Sequence, residues 1–168
     1  ETLRERASAQ GRARYDAMVK HLIASRMADG ALKEGDTIPS FVLTSADGNI
    51  VNSDALLARG PLVLSFYRGA WCPYCSAELE ALQQTAAAIS AAGATLVAIT
   101  PEAGGLAAAT RRERNINFTI LCDLDSGLAL AFGLVFRGPE DVRLAYLANG
   151  PDLARINGSD SWFLPVPA

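Results

Sequence analysis

The sequence predicts an α/β domain built on a parallel sheet, and two features carry that prediction. Short apolar runs at 62–67, 95–100 and 118–122 alternate with stretches rich in Ala, Leu, Glu and Gln. Strands alternating with helices in this order build a parallel sheet with right-handed crossovers. The second feature is the junction Leu62 to Leu82, where Trp71-Cys72-Pro73-Tyr74-Cys75 stands between a strand and a helix. A chain of 168 residues is long enough for one domain with a full core. Half of it is hydrophobic and a fifth charged, as in a soluble globular protein. A formal charge of −3 gives no reason to expect nucleic acid or a membrane surface as partner. No run reaches the length of about 18 apolar residues that spans a bilayer. The N-terminus has no signal-peptide core, and Glu1 in place of Met implies processing or trimming. Three cysteines, two of them in one motif, do not make a secreted disulfide framework, so a cytoplasmic location is expected.

Taken in order, Glu1 to about Arg26 reads as an amphipathic helix whose apolar positions are Leu3, Ala7, Tyr15, Met18, Val19, Leu22 and Ile23. The 15, 18, 19, 22 spacing puts those side chains on one face, to pack on the domain or on a second subunit. His21 lies in this helix with nothing around it that suggests chemistry. Breakers at Asp29-Gly30 and Glu34-Gly35-Asp36 end the segment, so residues 1–34 form a helical extension and 35–168 the main domain. Apolar pieces at 41–43 and 50–51 flank Ala46-Asp47-Gly48-Asn49, a hairpin signal, and Ser53 or Asp54 caps a short helix through Ala58. The central helix runs to Ala92, with Gly93 as its C-terminal stop. The strand at 95–100 is followed by Pro101-Glu102, then helix over 104–115, strand over 118–122 and helices over 126–132 and 138–148. Residues 149–160 read as loop, and 162–164 begin a strand.

The chemistry is expected at the cysteine pair. A helix N-terminus presents unpaired N–H groups and partial positive charge, which favours an anion there. Thiolate is the reactive form of cysteine, and that environment or a neighbouring cation lowers its pKa. Pro73 suits the first helical turn, which places Cys72 near the N-cap and Cys75 within the turn. Arg68 is the nearest cation in sequence. A zinc site needs two further ligands, and only the distant Cys122 and His21 are on offer, so no metal is expected. Cys122 is either a resolving thiol facing the pair or a small buried apolar residue. Asp123 and Asp125 turn the chain and cap the next helix; the Gly and Glu pattern of a calcium loop is absent.

The string FYRGAWCPYCSAEL resembles the thioredoxin superfamily and, within it, the peroxiredoxin-like alkyl hydroperoxide reductase / thiol-specific antioxidant family. Gly35, Pro39, Phe41 and Leu43 resemble the segment that precedes the core in that family. The resemblance implies a thioredoxin-like fold with an N-terminal helix and hairpin added. It places Cys75 at the peroxidatic position and Glu78 at the family's Glu, with Cys72 where the family has Thr and Arg68 where it has Pro. The thioredoxin pattern instead makes Cys72 the attacking thiol. The peroxide-binding Arg of peroxiredoxins has no counterpart near Leu164-Pro165-Val166-Pro167-Ala168. Pro167 there is similar to the thioredoxin cis-proline, and Val166, the residue before it, would offer its backbone to a substrate. Both families continue with an antiparallel strand pair and a helix. The expectation is a fragment, a chain with a further tail, or a domain completed by a second subunit.

The implied function is a thiol peroxidase without cofactor. It reduces hydrogen peroxide or organic hydroperoxides through a Cys72/Cys75 dithiol–disulfide cycle, with Arg68 stabilising charge and Trp71 and Tyr74 shaping the mouth. A thioredoxin- or glutaredoxin-like protein would regenerate it, and the N-terminal helix would make a homodimer. Two alternatives stand beside it: a protein disulfide oxidoreductase, and a non-catalytic redox-sensing or dimerisation module.

Overall fold

The computed structural model describes residues 8–103 and 105–168. Helix α1 (Ala9–Ala24) comes first, capped by the Ser8 hydroxyl, which accepts from the Gly11 N–H. Leu3 and Ala7 of the expected helix lie outside the described residues. Arg26 then turns left-handed (φ +52°) into a single 3-10 turn, Met27–Gly30. Strands β1 (Val42–Ser45) and β2 (Ile50–Asn52) form the expected antiparallel hairpin, with Leu43 opposite Val51. The short helix α2 (Ser53–Leu57) follows, and the cap is one residue earlier than expected. The Asn52 side chain accepts from the Asp54 N–H, because the Ser53 hydroxyl is buried and taken up by the Phe41 N–H.

The core units follow as β3 (Leu62–Phe66), α3 (Pro73–Ala91), β4 (Thr95–Thr100), α4 (Leu106–Glu113), β5 (Thr119–Cys122) and α5 (Gly127–Ala131). Strands β3, β4 and β5 are parallel, and β1 joins β5 antiparallel, giving a five-stranded sheet in the order β2-β1-β5-β4-β3. Side chains alternate across a strand, and the core divides accordingly. Leu96, Ala98 and Ile120 pack on one face with Leu79 of α3, while Val97, Ile99 and Leu121 pack on the other with Leu128 and Phe132. Central β4 is buried on both sides, which explains its unbroken apolar run.

After α5 the chain makes β6 (Val135–Arg137), α6 (Glu140–Asn149), α7 (Leu153–Asn157) and β7 (Phe163–Pro165). Neither β6 nor α7 was expected. Strand β6 exists because β7 pairs with it (Phe136 opposite Leu164), and α7 is fixed by the Asp152 carboxylate and buried Leu153 in a region otherwise rich in turn residues. These pieces enclose a third apolar cluster, Phe136, Leu153, Trp162 and Leu164, on which Met18 and Leu22 of α1 rest. At the outer edge of β3, Ala168 exchanges two backbone hydrogen bonds with Phe66 (2.8 and 3.3 Å). No helix among the described residues is long and apolar enough to cross a membrane.

Candidate active site

Past the end of β3, Phe66 and Tyr67 bury on opposite faces of the sheet. The chain then turns through Arg68, Gly69, Ala70 and Trp71 before α3 begins. This turn is over-determined. The Trp71 indole N–H donates to the Arg68 carbonyl at 3.1 Å, and the Cys72 N–H donates to the Gly69 carbonyl at 3.1 Å. Gly69 has φ +136°, and a Cβ there would meet the Trp71 ring at 2.7 Å and Glu102 Oε1 at 3.0 Å. Only glycine fits both the angle and the space.

Cys72 is the N-cap of α3 and Pro73 occupies its first position. The expected placement is therefore the observed one, and it makes the Cys72 sulfur a helix cap. Cys72 Sγ receives the Cys75 thiol at 2.7 Å, the Cys75 N–H at 3.4 Å and an Arg68 guanidinium N–H at 3.2 Å. Both thiols are free and 1 % exposed. The donors act in one direction. The Cys75 thiol, opposed by burial and helped by the Arg68 charge and the Cys75 N–H, pulls the Cys72 pKa down to about 6. Donating to Cys72, together with burial, drives the Cys75 thiol upward. Both shifts run the same way, favouring ionisation at Cys72 with Cys75 as the proton donor. Arg68 lies over Trp71 at 5.6 Å from the ring centroid and keeps a buried Nε–H with no acceptor among the described residues.

A cavity of about 450 Å³ opens beside this arrangement. Cys72, Arg68, Trp71, Tyr74 and Tyr146 line it, together with Tyr15 of α1, which stacks on Tyr74. Trp71 and Tyr74, expected to shape the mouth of the site, are among its lining residues. Two expected residues do not join them. Glu78 lies exposed on α3 with no hydrogen bond or ion pair among the described residues, the inward position of that turn being taken by buried Leu79. Pro167 follows a trans peptide bond, is exposed and is absent from the cavity wall. Its chain is drawn instead to the β3 edge through Ala168, and the Val166 N–H is already donated to Leu134 O at 2.7 Å. Cys122 sits at the end of β5 opposite Thr100, half-buried, with its thiol pushed up by burial and then by the Glu102 charge.

Glu102 is the residue that the sequence reading passed over. It is 2 % exposed; its Oε1 accepts the Ala70 N–H at 2.9 Å and its Oε2 the Tyr67 hydroxyl at 3.3 Å. Burial raises its pKa despite those bonds. The signal was available in the parallel register: Phe66 pairs with Ile99, so residues just past β4 must lie beside those just past β3. Among the described residues no three His, Cys, Asp or Glu side chains gather as a metal site.

A model of the AhpC/TSA family matches residues 35–149. The chain belongs to the AhpC/TSA family. Two peroxiredoxin-named proteins of Mycobacterium tuberculosis H37Rv are similar to this AhpC/TSA chain. One is 29 % identical over 103 residues, covering 61 % of this chain and 67 % of its own; the other is 30 % identical over 102 residues, covering 61 % and 64 %. The crystal structure of the peroxidoxin BcpB from M. tuberculosis superposes with a TM-score of 0.63 at 25 % identity, covering 80 % of this chain and 74 % of that one. Peroxiredoxin Q of Xanthomonas campestris shares the fold, with a TM-score of 0.53 at 21 % identity, covering 57 % of this chain and 60 % of its own. The AhpC/TSA domain here has the thioredoxin-like architecture, with Cys72 and Cys75 at the junction between β3 and α3.

Proposed function

We propose that this AhpC/TSA protein is a thiol-dependent peroxidase in which Cys72 attacks and Cys75 resolves. The observation that carries this reading is the set of donors on one sulfur. Cys72 receives a thiol, a backbone N–H and a guanidinium; Arg68 acts on Cys75 as well, but the thiol-to-thiol donation runs from Cys75 to Cys72, and Cys72 alone of the pair lines the cavity. The family position would assign attack to Cys75, but Cys75 spends its proton on Cys72 and would have to ionise beside an existing thiolate.

In the proposed cycle the Cys72 thiolate attacks one oxygen of the hydroperoxide and the O–O bond breaks. Cys72 becomes a sulfenic acid, and the other oxygen leaves as water or an alcohol after taking a proton. The buried Nε–H of Arg68 is available to the oxygen that gains charge. The Cys75 sulfur then attacks Cys72 Sγ and expels the sulfenic oxygen as water. The sulfurs already lie 2.7 Å apart, less than about 1 Å from bonding distance. A thioredoxin- or glutaredoxin-like dithiol supplies two electrons and two protons to reopen the disulfide.

Stopped-flow oxidation of the reduced protein by hydrogen peroxide and cumene hydroperoxide tests this. Oxidation faster by orders of magnitude than that of a free thiolate, kept in Cys75→Ser and lost in Cys72→Ser, is the expected result. Loss in Cys75→Ser alone would return the attack to the family position. A protein disulfide oxidoreductase is the second reading, favoured by the N-cap cysteine with the lowered pKa. It wins if peroxide reacts no faster than with a free thiol while insulin disulfides are reduced.

A further inference from the structure

The Cys72–Cys75 pair reacts at a site that the chain itself covers. Both sulfurs are 1 % exposed, and the lining of the cavity beside Cys72 includes Gly11, Tyr15 and Met18 of α1. The attachment of α1 differs from that of the rest of the domain. It contains no buried residue. Among the described residues its backbone makes no hydrogen bond outside its own helix and the turn that follows. What holds it is side-chain contact: Tyr15 stacks on Tyr74 (centroids 5.5 Å, planes 21° apart), and Met18 and Leu22 rest on the Trp162 cluster. Tyr74 is the residue between Pro73 and Cys75, so the stack is anchored inside the redox motif. At the C-terminal end of α1, Arg26 holds a left-handed backbone (φ +52°), a conformation sparsely occupied by residues other than glycine and suited to a pivot.

We propose that α1, pinned by Tyr15 on Tyr74, is a size-selective gate that admits small thiols and peroxides to Cys72 but must swing aside before a protein thiol reaches it. A cavity of about 450 Å³ accommodates a small molecule. A thiol carried on a protein surface cannot approach a sulfur that is 1 % exposed while α1 lies over it. The step being gated is thiol–disulfide exchange. An incoming thiolate bonds to Cys72 Sγ, the Cys72–Cys75 bond breaks with its electron pair going to Cys75, and the partner's second thiol then releases Cys72. The dithiol is oxidised as the protein disulfide is reduced. For a protein partner the observed rate is the intrinsic rate multiplied by the open fraction, whereas a small thiol feels no such factor. Tyr15 and Met18 are therefore selectivity residues for the partner.

The test starts from protein oxidised with diamide, so it does not depend on the peroxidase reading. Reduction is followed with dithiothreitol and with a bacterial thioredoxin. Tyr15→Ala should speed the thioredoxin reaction about threefold, and Tyr15→Ala with Met18→Ala about tenfold or more, from the lost stack and apolar contact. Dithiothreitol rates should rise by a clearly smaller factor than the thioredoxin rates in the same variants, because the small thiol does not wait for opening. Equal acceleration of both reductants, or of neither, would overturn the gate. Since no residue of α1 is fully buried, these variants keep the core. An independent check on the unaltered protein is amide hydrogen exchange, in which residues 9–24 should exchange well ahead of α3. Exchange of both helices together, only on global unfolding, would also remove it. Failure of peroxide oxidation alone would leave the gate standing and sink only the peroxidase.

Discussion

Two strand ends on the same edge of the sheet each hand the chain to a helix N-terminus, and each sets an acidic side chain against the helix N–H groups. Past β3 it is the Cys72 sulfur on the Cys75 N–H; past β5 it is the Asp123 carboxylate on the N–H groups of Leu128 and Ala129 at 2.8 and 2.9 Å. Their acidities move in opposite directions. Asp123 is 3 % exposed, and burial raises its pKa even though the backbone N–H groups oppose the rise. Cys72 is as deeply buried, yet its pKa falls to about 6. A helix N-terminus alone does not overcome desolvation here. What separates the cap whose acidity rises from the one whose acidity falls is the second and third donor, the Cys75 thiol and the Arg68 guanidinium.

Experiments can break this comparison at four points, in falling order of effect. Cys72→Ser should remove at least about 10³ of the oxidation rate, as loss of a nucleophile does in other enzymes, and stopped-flow would show it directly. Arg68→Met comes next. With Cys72 at about 6, alkylation by iodoacetamide should climb through pH 6 and level off above it, since the thiolate accumulates as pH rises. Removing the guanidinium should shift that midpoint upward and slow the reaction at pH 7 roughly tenfold. An unmoved midpoint would mean that the thiol of Cys75 acts without help. Asp123→Ala should cost about 1–3 kcal/mol in a denaturant titration, because two buried N–H groups lose their acceptor. It should leave the Cys72 midpoint where it was; a shift would show that the two ends are coupled. Cys122→Ala should change stability by less than about 1.5 kcal/mol and oxidation not at all. Accumulation of sulfenic acid in that variant would make Cys122 a resolving thiol and blur the distinction between the two ends.

The cysteine-bearing end was legible because its information is local. Strand, turn, Cys72, Pro73 and Cys75 follow one another within a few residues, and local rules place each of them. Arg68 was also within reach, being four residues from the sulfur it contacts. The features that escaped depend on partners far along the chain. Glu102 becomes buried only because the Gly69–Ala70 turn closes over it. Val135–Arg137 is a strand only because Phe163–Pro165 returns to pair with it. The Asn52 cap was missed by one residue, since nothing local says that Phe41 will claim the Ser53 hydroxyl. Glu78 and Pro167 erred the other way. Their roles were imported with a motif, and the helical period and the pull of Ala168 toward Phe66 placed them elsewhere.

Gly69 carries a consequence for descent. Every replacement there adds a carbon that collides with the Trp71 ring and crowds Glu102, at a backbone angle other residues avoid. Arg68 or Tyr74 can be exchanged and leave a working turn with altered chemistry. Gly69 cannot, so a lineage from this protein can retune its thiolate by single steps, but only while that one codon stands still.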